Sequence, residues 1–216
     1  MKSKFLLCIL ITALFITLTS CASNEPAPPR ERDETFIADI NSFTLETIHL
    51  YTQRKNGKPK VNNLQFSFNP RTNLVIINTK IGMDFVQLGF SYQDRKALYE
   101  AYNKYIEAYN SDAIPNEKPT KKNAYTKGYT LMNWGAASLA YEASAPYITN
   151  AQYMAENKPY FKITYSAGSD FSDEHVYSPS FSIYISPSQW EHIIELCNQE
   201  ALEARVDEII AEADEF

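Results

Sequence analysis

Cysteine is scarce in this chain, which has three among its 216 residues. Cys8 lies in an apolar N-terminal run, Cys21 follows that run, and only Cys197 falls in the predicted folded part. A single thiol cannot form an internal disulfide, so folding must rest on the burial of apolar surface. Cys197 takes an apolar position of a predicted helix, and we interpret it as a buried small hydrophobic residue and not as a nucleophile.

Histidine and glycine are also sparse, with three and six residues. His49 lies on a predicted strand, His175 in a loop and His192 on a helix, and no HxH or HExxH spacing places two of them on one face. The sequence contains no phosphate-binding Gly-rich loop and no G-x-S-x-G nucleophile motif. We therefore predict no catalytic residue and no cofactor, and we expect the protein not to be an enzyme.

One predicted hairpin loop contains the best candidates for metal ligands in this sequence. It contains Asp170, Asp173, Glu174 and His175, whose oxygen and nitrogen atoms are ligands that cations accept. The spacing does not match the regular pattern of a calcium-binding loop. We therefore expect a charged, soluble loop here and no metal site.

Long apolar runs are confined to the N terminus. Lys2 and Lys4 precede 14 mostly apolar residues, from Phe5 to Leu18. A membrane-spanning helix needs about 20 apolar residues, so the run is too short for an anchor and is typical of a secretory signal peptide. We assign residues 1–20 to that signal peptide.

The end of the leader, Leu18-Thr19-Ser20-Cys21, resembles the lipobox of bacterial lipoproteins. The resemblance implies a diacylglyceryl group on the sulfur of Cys21 and an acyl chain on its amine, and two or more chains hold a protein firmly to a bilayer. We predict a protein of the bacterial cell envelope with Cys21 as its lipidation site. Ala22, where an Asp would imply retention at the inner membrane, favours the outer membrane. The alternative is an ordinary secreted protein with a free thiol at Cys21.

Residues 21–34 form the lipidated N terminus and a predicted tether. Three prolines and six charges lie between Ala22 and Glu34, so this segment cannot bury enough apolar surface to fold and its prolines keep it extended. At about 3.3 Å per residue it could hold the folded part roughly 40 Å from the bilayer. Loss of the two leader lysines changes the formal charge from −6 to −8, which opposes nucleic-acid binding.

Residues 35–216 read as one globular α+β domain with possible halves at 35–110 and 124–216. Period-two apolar patterns predict four strands from Phe43 to Phe90, followed by a helix that begins at Ser91. The second half predicts four more strands and a long helix that begins at the capping sequence Ser186-Pro187-Ser188-Gln189. The predicted strands of that half are Tyr125–Asn133, Ala136–Ala143, Tyr160–Tyr165 and Ser180–Ile185.

The two halves align at an offset of 95 residues. Val86, Leu88 and Phe90 then match Phe181, Ile183 and Ile185, and the helix starts match as well. The pattern favours antiparallel sheets with helices packed on them, in a duplicated unit of four strands and a helix, although two generic strand-to-helix junctions could align by chance. The order of elements resembles that of the Whirly and PUR folds, but no sequence motif of those families is present.

Tyrosine is abundant, with fifteen residues beside twelve phenylalanines and two tryptophans. Tyr125, Tyr129, Trp134 and Tyr141 lie on predicted strands that could expose one face, where aromatic side chains bind peptides or glycans. Packing in the core is the interpretation that the pattern favours for these four residues, and a ligand platform is the alternative.

The function that these patterns favour is a non-catalytic binding or envelope-associated domain, attached to the membrane through its lipid. The expected partner is an envelope protein, a peptide or a glycan. Two alternatives remain. One is an extracytoplasmic enzyme built from scattered Asp, Glu, Tyr and His, and the other is an assembly subunit that pairs through residues 205–213 of its acidic last helix.

Overall fold

The structure, a computed structural model, describes residues 36–115, 120–155 and 158–214. The predicted leader, Cys21 and the predicted tether lie outside these residues. Within them, four strands precede a helix, and four further strands precede two helices. The elements are β1 Phe43–Arg54, β2 Lys60–Asn69, β3 Leu74–Ile81, β4 Asp84–Phe90, α1 Tyr92–Asn110, β5 Thr126–Gly135, β6 Tyr141–Ala155, β7 Lys158–Tyr165, β8 Phe181–Ile185, α2 Pro187–Cys197 and α3 Gln199–Asp214.

The eight strands form one closed antiparallel barrel in which each strand pairs with its neighbours in sequence. The ring closes where β1 pairs with β8, with Tyr51 opposite Tyr184 and Arg54 opposite Phe181. Closure removes both free edges of the sheet, so the ladder groups of the first and last strands find partners. The two predicted halves therefore share a single sheet.

The predicted α+β class is wrong. About 44% of the residues are in strands and 26% in helices, and the strands form one barrel in place of helix-covered sheets. The order of four strands and a helix does occur twice, but the pairing of β4 with β5 and of β1 with β8 joins both sets into one ring. The alternating pattern indicates that one face of each strand is buried, and a barrel interior satisfies that pattern as well as a helix-covered sheet does.

Alternation fills the barrel with apolar side chains. On β3, Val75, Ile77 and Ile81 are buried inside, while Ile76 and Asn78 lie on the outer face and are half-buried. The other strands follow the same rule. Their inward-facing, buried residues include Leu50, Leu64, Phe66, Phe68, Val86, Leu88, Met132, Trp134, Phe161, Ile163, Phe181 and Ile183.

Two segments differ from the sequence-based expectation. The strand predicted at Ala136–Ala143 begins at Tyr141 and continues to Ala155, because Ala136 to Ala140 form an exposed loop. The single long last helix is divided at Asn198. The Asn198 side-chain oxygen accepts a hydrogen bond from Ala201 N at 2.8 Å, so this residue ends α2 and caps α3.

All three helices lie at one end of the barrel, which we call the helix end. The caps of α1 and α2, Ser91 and Ser186, directly follow β4 and β8, as predicted. Each cap is part of a capping box, and the sequence predicted that motif at Ser186. The two helices approach each other over the barrel, where Tyr102 and Trp190 lie 5.8 Å apart between ring centroids. Trp190 also stacks on Phe161 inside the barrel at 5.2 Å. No helix within the described residues is long and apolar enough to cross a bilayer.

The opposite end, which we call the turn end, carries the other four connections. They are the turns after β1 and β3, the loop after β5 and the loop between β7 and β8. The last of these, residues 166–180, continues alongside the start of β6, because Ser166 N donates to Pro146 O and Phe171 N donates to Glu142 O. The described part of the chain therefore has one end covered by helices and one end formed by loop tips.

The capping box of α1 supplies a stability prediction. Ser91 N and Ser91 Oγ both donate to the Asp94 carboxylate, at 2.8 and 2.7 Å, and Ser91 is buried. We expect Ser91→Ala to lower the free energy of unfolding by about 1 kcal/mol, as other N-cap losses do. Urea unfolding should show a lower midpoint at an unchanged slope. The exposed Gln93→Ala serves as the control, and an equal midpoint shift in both variants would contradict the capping role.

Candidate functional site

A pocket of about 580 Å³ runs from the barrel interior to the surface between α1 and the junction of α2 with α3. Its inner wall comes from β1, β2, β3, β4, β7 and β8, which are neighbours around the ring on both sides of the closing pair. The residues that line it are Leu50, Leu64, Phe66, Ile77, Phe90, Ile163, Tyr165, Ile183 and Ile185 from the strands, with Leu98, Trp190, Ile193, Ile194 and Cys197 from the helices. The pocket is thus a mainly apolar chamber, and we call the part of it between the helices the mouth.

The charged and amide side chains of the pocket lie on the helices that form its mouth and at the junction between them. They are Arg95 and Lys96 on α1 and Asn198, Gln199 and Glu200 at the α2–α3 junction, and Tyr92 and Tyr99 complete the rim. Tyr92 and Tyr99 are 38% and 47% exposed. A molecule with an apolar body and a polar end would match this distribution.

Arg95 holds the mouth in place. Its guanidinium donates to Phe90 O at 3.1 Å, to Asn73 O at 2.9 Å and to the Asn73 side chain at 3.0 Å. It also donates to Gln199 Oε1 at 2.6 Å. One planar group therefore ties α1 to the turn after β2 and to the start of α3, which fixes the width of the opening.

Lys96 lies one residue further along α1 and is exposed. Among the residues that the structure describes, it has neither an ion-pair partner nor a hydrogen-bond partner. Glu200 also lies on the rim, but it does not form a salt bridge with Lys96. Within the described residues, Lys96 is therefore a cation of the mouth that a ligand's polar end could reach.

Cys197 lines the pocket and is buried, as the sequence predicts. Burial raises the pKa of its thiol to about 12, although the nearby Arg95 acts in the opposite direction. The thiol is therefore protonated at neutral pH, and it contributes an apolar wall and not a nucleophile.

Two lining residues carry buried polar atoms that lack hydrogen-bond partners in the described parts of the chain. They are the Tyr165 hydroxyl and the Trp190 indole nitrogen. Burial raises the pKa of Tyr165 well above its ordinary value, so this group remains a neutral hydroxyl. Unmade hydrogen bonds of this kind are costly, and a bound molecule with an acceptor atom would reduce that cost.

The four predicted platform residues do not share one face. Trp134 points into the barrel at the turn end and stacks on Tyr141, its cross-strand neighbour, at 5.6 Å. Tyr129 lies on the outer face of β5 and is 40% exposed. Tyr125 lies at the helix end, where it packs against Phe161 at 6.2 Å.

The loop that contains Asp170 is organised by that carboxylate. Asp170 is buried and accepts hydrogen bonds from Glu142 N at 2.7 Å, Ser172 N at 3.0 Å and Asp173 N at 3.0 Å. The Ser172 hydroxyl donates at 2.5 Å, and these donors lower the pKa of Asp170 to about 2, with Ser172 the largest cause and Glu142 the next. Glu174 and His175 point into solvent, and among the described residues no cluster of three potential ligands surrounds a common point.

The last helix places Leu202 and Val206 in the core and leaves Ile210 on the surface. Its acidic residues include Glu208, which forms an ion pair with Arg205 at 2.6 Å. Docking of α3 on the body accounts for Leu202 and Val206, and pairing with another helix through residues 205–213 stays a prediction.

The comparisons with known proteins identify relatives. Residues 34–204 match the profile of the family described as "Uncharacterised Treponema protein". The chain belongs to this family. The match spans all eight strands, α1, α2 and the beginning of α3. A relative described as an uncharacterized protein of Treponema pallidum (strain Nichols) is 24% identical over 206 residues, which cover 92% of this chain and 70% of the relative. No solved structure matches the chain significantly.

The sequence did not reveal the pocket. Ile77, Ile163 and Ile183 read as ordinary core positions, because a side chain that lines a cavity follows the same alternation as one that fills a core. One sequence feature does correspond to the mouth: Arg95 and Lys96 lie close to Tyr92 and Tyr99 at the start of α1. Their grouping at the mouth depends on α2 and α3, which lie about 100 residues further along the chain.

The Asp170 carboxylate supplies a pH-dependent prediction. Its folded pKa of about 2 lies below the ordinary value of about 3.9, so its stabilising contribution is complete above about pH 4 and is lost as the pH falls towards 2. We expect Asp170→Ala to lower the melting temperature by a few degrees at pH 7, and the difference from wild type to shrink near pH 2. Circular dichroism melts would measure both effects. Glu174→Ala is the control, and a difference that stays constant across this range would contradict the role of the ionised carboxylate.

Proposed function

We propose that the protein is a lipid-anchored envelope protein whose barrel binds a small apolar or amphipathic molecule. The observation that carries the proposal is the apolar chamber of about 580 Å³, which opens to the surface through a mouth of polar and aromatic residues. Pockets of roughly 300–1,000 Å³ accommodate small ligands, and eight-stranded barrels are a common container for them.

The size of the chamber favours a ligand with a substantial hydrocarbon part. Its volume equals that of about 19 water molecules at roughly 30 Å³ each. Each methylene group that leaves water contributes about 0.8 kcal/mol, so burial of ten carbons contributes about 8 kcal/mol, which is comparable to the cost of association. The apolar wall provides no comparable attraction for a sugar or a charged peptide.

The mouth supports an amphipathic ligand over a pure hydrocarbon. Lys96 is exposed and uncommitted in the described structure, and Tyr92 and Tyr99 expose their rings beside it. A negatively charged or hydrogen-bonding end would meet Lys96 while the rest of the ligand enters between α1 and α2. The unsatisfied groups of Tyr165 and Trp190 also favour a ligand that carries an acceptor atom.

The anchor part of the proposal rests on the lipobox at Cys21 and not on the described residues. The globular domain begins at the helix end, because Ile37 N donates a hydrogen bond at 2.9 Å to Pro70 O in the turn after β2. A tether that joins there would link the bilayer to the body, and Ala22 keeps the outer membrane as the favoured location. The proposed binding partner is then a small molecule and not the peptide or glycan expected from the sequence.

A cavity-filling substitution tests the binding site. Ile77 lines the chamber, and its neighbour Ile76 lies on the outer face of the same strand. We expect Ile77→Phe to weaken binding of the neutral dye N-phenyl-1-naphthylamine at least tenfold, because the added ring occupies the chamber, and Ile76→Phe to leave binding unchanged. Dye fluorescence measures binding, and circular dichroism checks that both variants fold. Equal dye binding by wild type and Ile77→Phe would refute the chamber as the site.

The anchor is tested separately. We expect Cys21→Ser to move the protein from the membrane fraction to the soluble fraction, because a serine cannot receive the thioether-linked lipid. Mass spectrometry of the wild-type N-terminal peptide should show the added acyl mass at residue 21. A variant that stays in the membrane fraction, or an unmodified wild-type peptide, would remove the anchor from the proposal without affecting the dye assay.

A further inference from the structure

The chamber has a buried hydroxyl group in its wall at the end away from the mouth. Tyr165 is the last residue of β7 and pairs with Phe181, the first residue of β8, so it lies at the turn end of the barrel. It shares the inward face of β7 with Phe161 and Ile163, because side chains alternate along a strand. Ile163 and Tyr165 both line the chamber. The Tyr165 side chain therefore belongs to the deep part of the chamber.

The Tyr165 ring is held by its neighbours, but its hydroxyl is not. The ring stacks on Phe181 with 5.0 Å between centroids, and the Tyr147 ring lies 6.2 Å away. Tyr165 is 1% exposed, and within the described residues its hydroxyl has no hydrogen-bond partner. Buried hydroxyl groups normally have a partner. Packing therefore fixes the position of a polar group whose bonding capacity the described chain does not use.

The surroundings of this hydroxyl decide which polar group of a ligand fits beside it. The charged residues that line the chamber, Arg95, Lys96 and Glu200, lie on the helices at the mouth. A charged ligand group near Tyr165 would lose its hydration without gaining an opposite charge, which is costly. A ligand hydroxyl would make one bond with Tyr165 and leave one of the two protons unpaired. A carbonyl or ether oxygen carries no proton, so a single bond from Tyr165 satisfies both groups.

We infer that the ligand is an elongated, lipid-like molecule with a carbonyl or ether oxygen at the end that enters first, and that this oxygen accepts a hydrogen bond from the Tyr165 hydroxyl. The inference rests on the proposed function, because it takes the chamber as the binding site. It adds an orientation, in which the uncharged oxygen lies at the turn end and the other polar end of the ligand meets Lys96 at the mouth. Tyr165 then distinguishes apolar molecules of equal size by the presence of this oxygen.

Trp190 supplies the other unpartnered donor of the chamber wall, at a different depth. Its ring stacks on Phe161, and Tyr165 lies four residues further along β7, about 13 Å in an extended strand. Trp190 is therefore nearer the mouth, where its indole nitrogen can donate to an oxygen in the outer part of a ligand. An oxygen at the leading end reaches Tyr165 instead.

The experiment compares two probes that differ in one group. 2-Nonanone carries a carbonyl, and 2-methyl-1-nonene carries a methylene group in its place, so the two have nearly the same size and shape. Displacement of N-phenyl-1-naphthylamine measures the affinity of each. We expect Tyr165→Phe to weaken binding of the ketone about tenfold, which is the net effect of one hydrogen bond, and to leave binding of the alkene unchanged.

Tyr184→Phe is the matched control. Tyr184 is also 1% exposed, but it lies on the outer face of β8 between the lining residues Ile183 and Ile185, and its hydroxyl donates to Gln53. Loss of this hydroxyl should lower the urea midpoint of unfolding and leave both probes unaffected. Tyr165→Phe should leave the midpoint unchanged or raise it, because the lost hydroxyl has no partner among the described residues. The two variants therefore give opposite patterns.

Infrared spectroscopy of bound 2-nonanone reports the hydrogen bond directly and needs no variant. A hydrogen bond weakens the carbonyl bond and lowers its stretching frequency. We expect the ketone to absorb at a lower frequency in the wild-type protein than in hexane, and close to the hexane frequency in Tyr165→Phe.

Several results would overturn the inference. They are equal weakening of both probes by Tyr165→Phe, an unchanged affinity of that variant for the ketone, or a carbonyl band at the hexane frequency in the wild-type protein. A low frequency that Trp190→Phe abolishes and Tyr165→Phe retains would assign the oxygen to Trp190 and reverse the orientation. These results leave dye binding intact and so refute this inference alone, whereas failure of the wild-type protein to bind the dye would refute the proposed function as well.

Discussion

The pairing of β1 with β8 is the constraint on which the rest of the structure depends. Four residue pairs, from Tyr51 opposite Tyr184 to Arg54 opposite Phe181, join strands that are about 130 residues apart in sequence. Without this seam the sheet would have two free edges and an open apolar face. The seam also builds the chamber, since Leu50 on β1 and Ile183 on β8 line it from either side. Closure and the proposed binding site therefore have one cause.

The helices divide the barrel into two unlike ends. Capping boxes at Ser91 and Ser186 start α1 and α2 at the same end, and the stacking of Trp190 on Phe161 fixes α2 over the interior. Arg95 then bridges α1, the turn after β2 and α3. The helices therefore do not cover this end of the barrel completely, and the gap between them is the mouth of the chamber. At the other end short turns expose Lys55, Lys60 and Met83.

Local features could be predicted because short-range physics decides them. The capping residues at Ser91 and Ser186, the burial of Cys197 and the alternation on β1 to β4 depend on neighbours within a few residues. The class of the fold could not be predicted in this way, because alternation indicates a buried face but not what covers it. The break at Asn198 and the start of β6 at Tyr141 were missed for a related reason: Asn198 continues a helical pattern, and the small residues from Ala136 to Ala140 have no strong preference.

The sequence by itself determined most of the strands, the helix starts at Ser91 and Ser186 and the burial of Cys197, and the leader with its lipid site at Cys21 stays a prediction from it. Only the tertiary structure decided that the strands close into a ring, that Ile77 lines a chamber and that Trp134 faces inward while Tyr129 faces outward. The physical reason is the range of the interactions. Caps and alternation act over two to four residues, whereas closure and the chamber require contacts between segments more than 100 residues apart, and no local pattern encodes those.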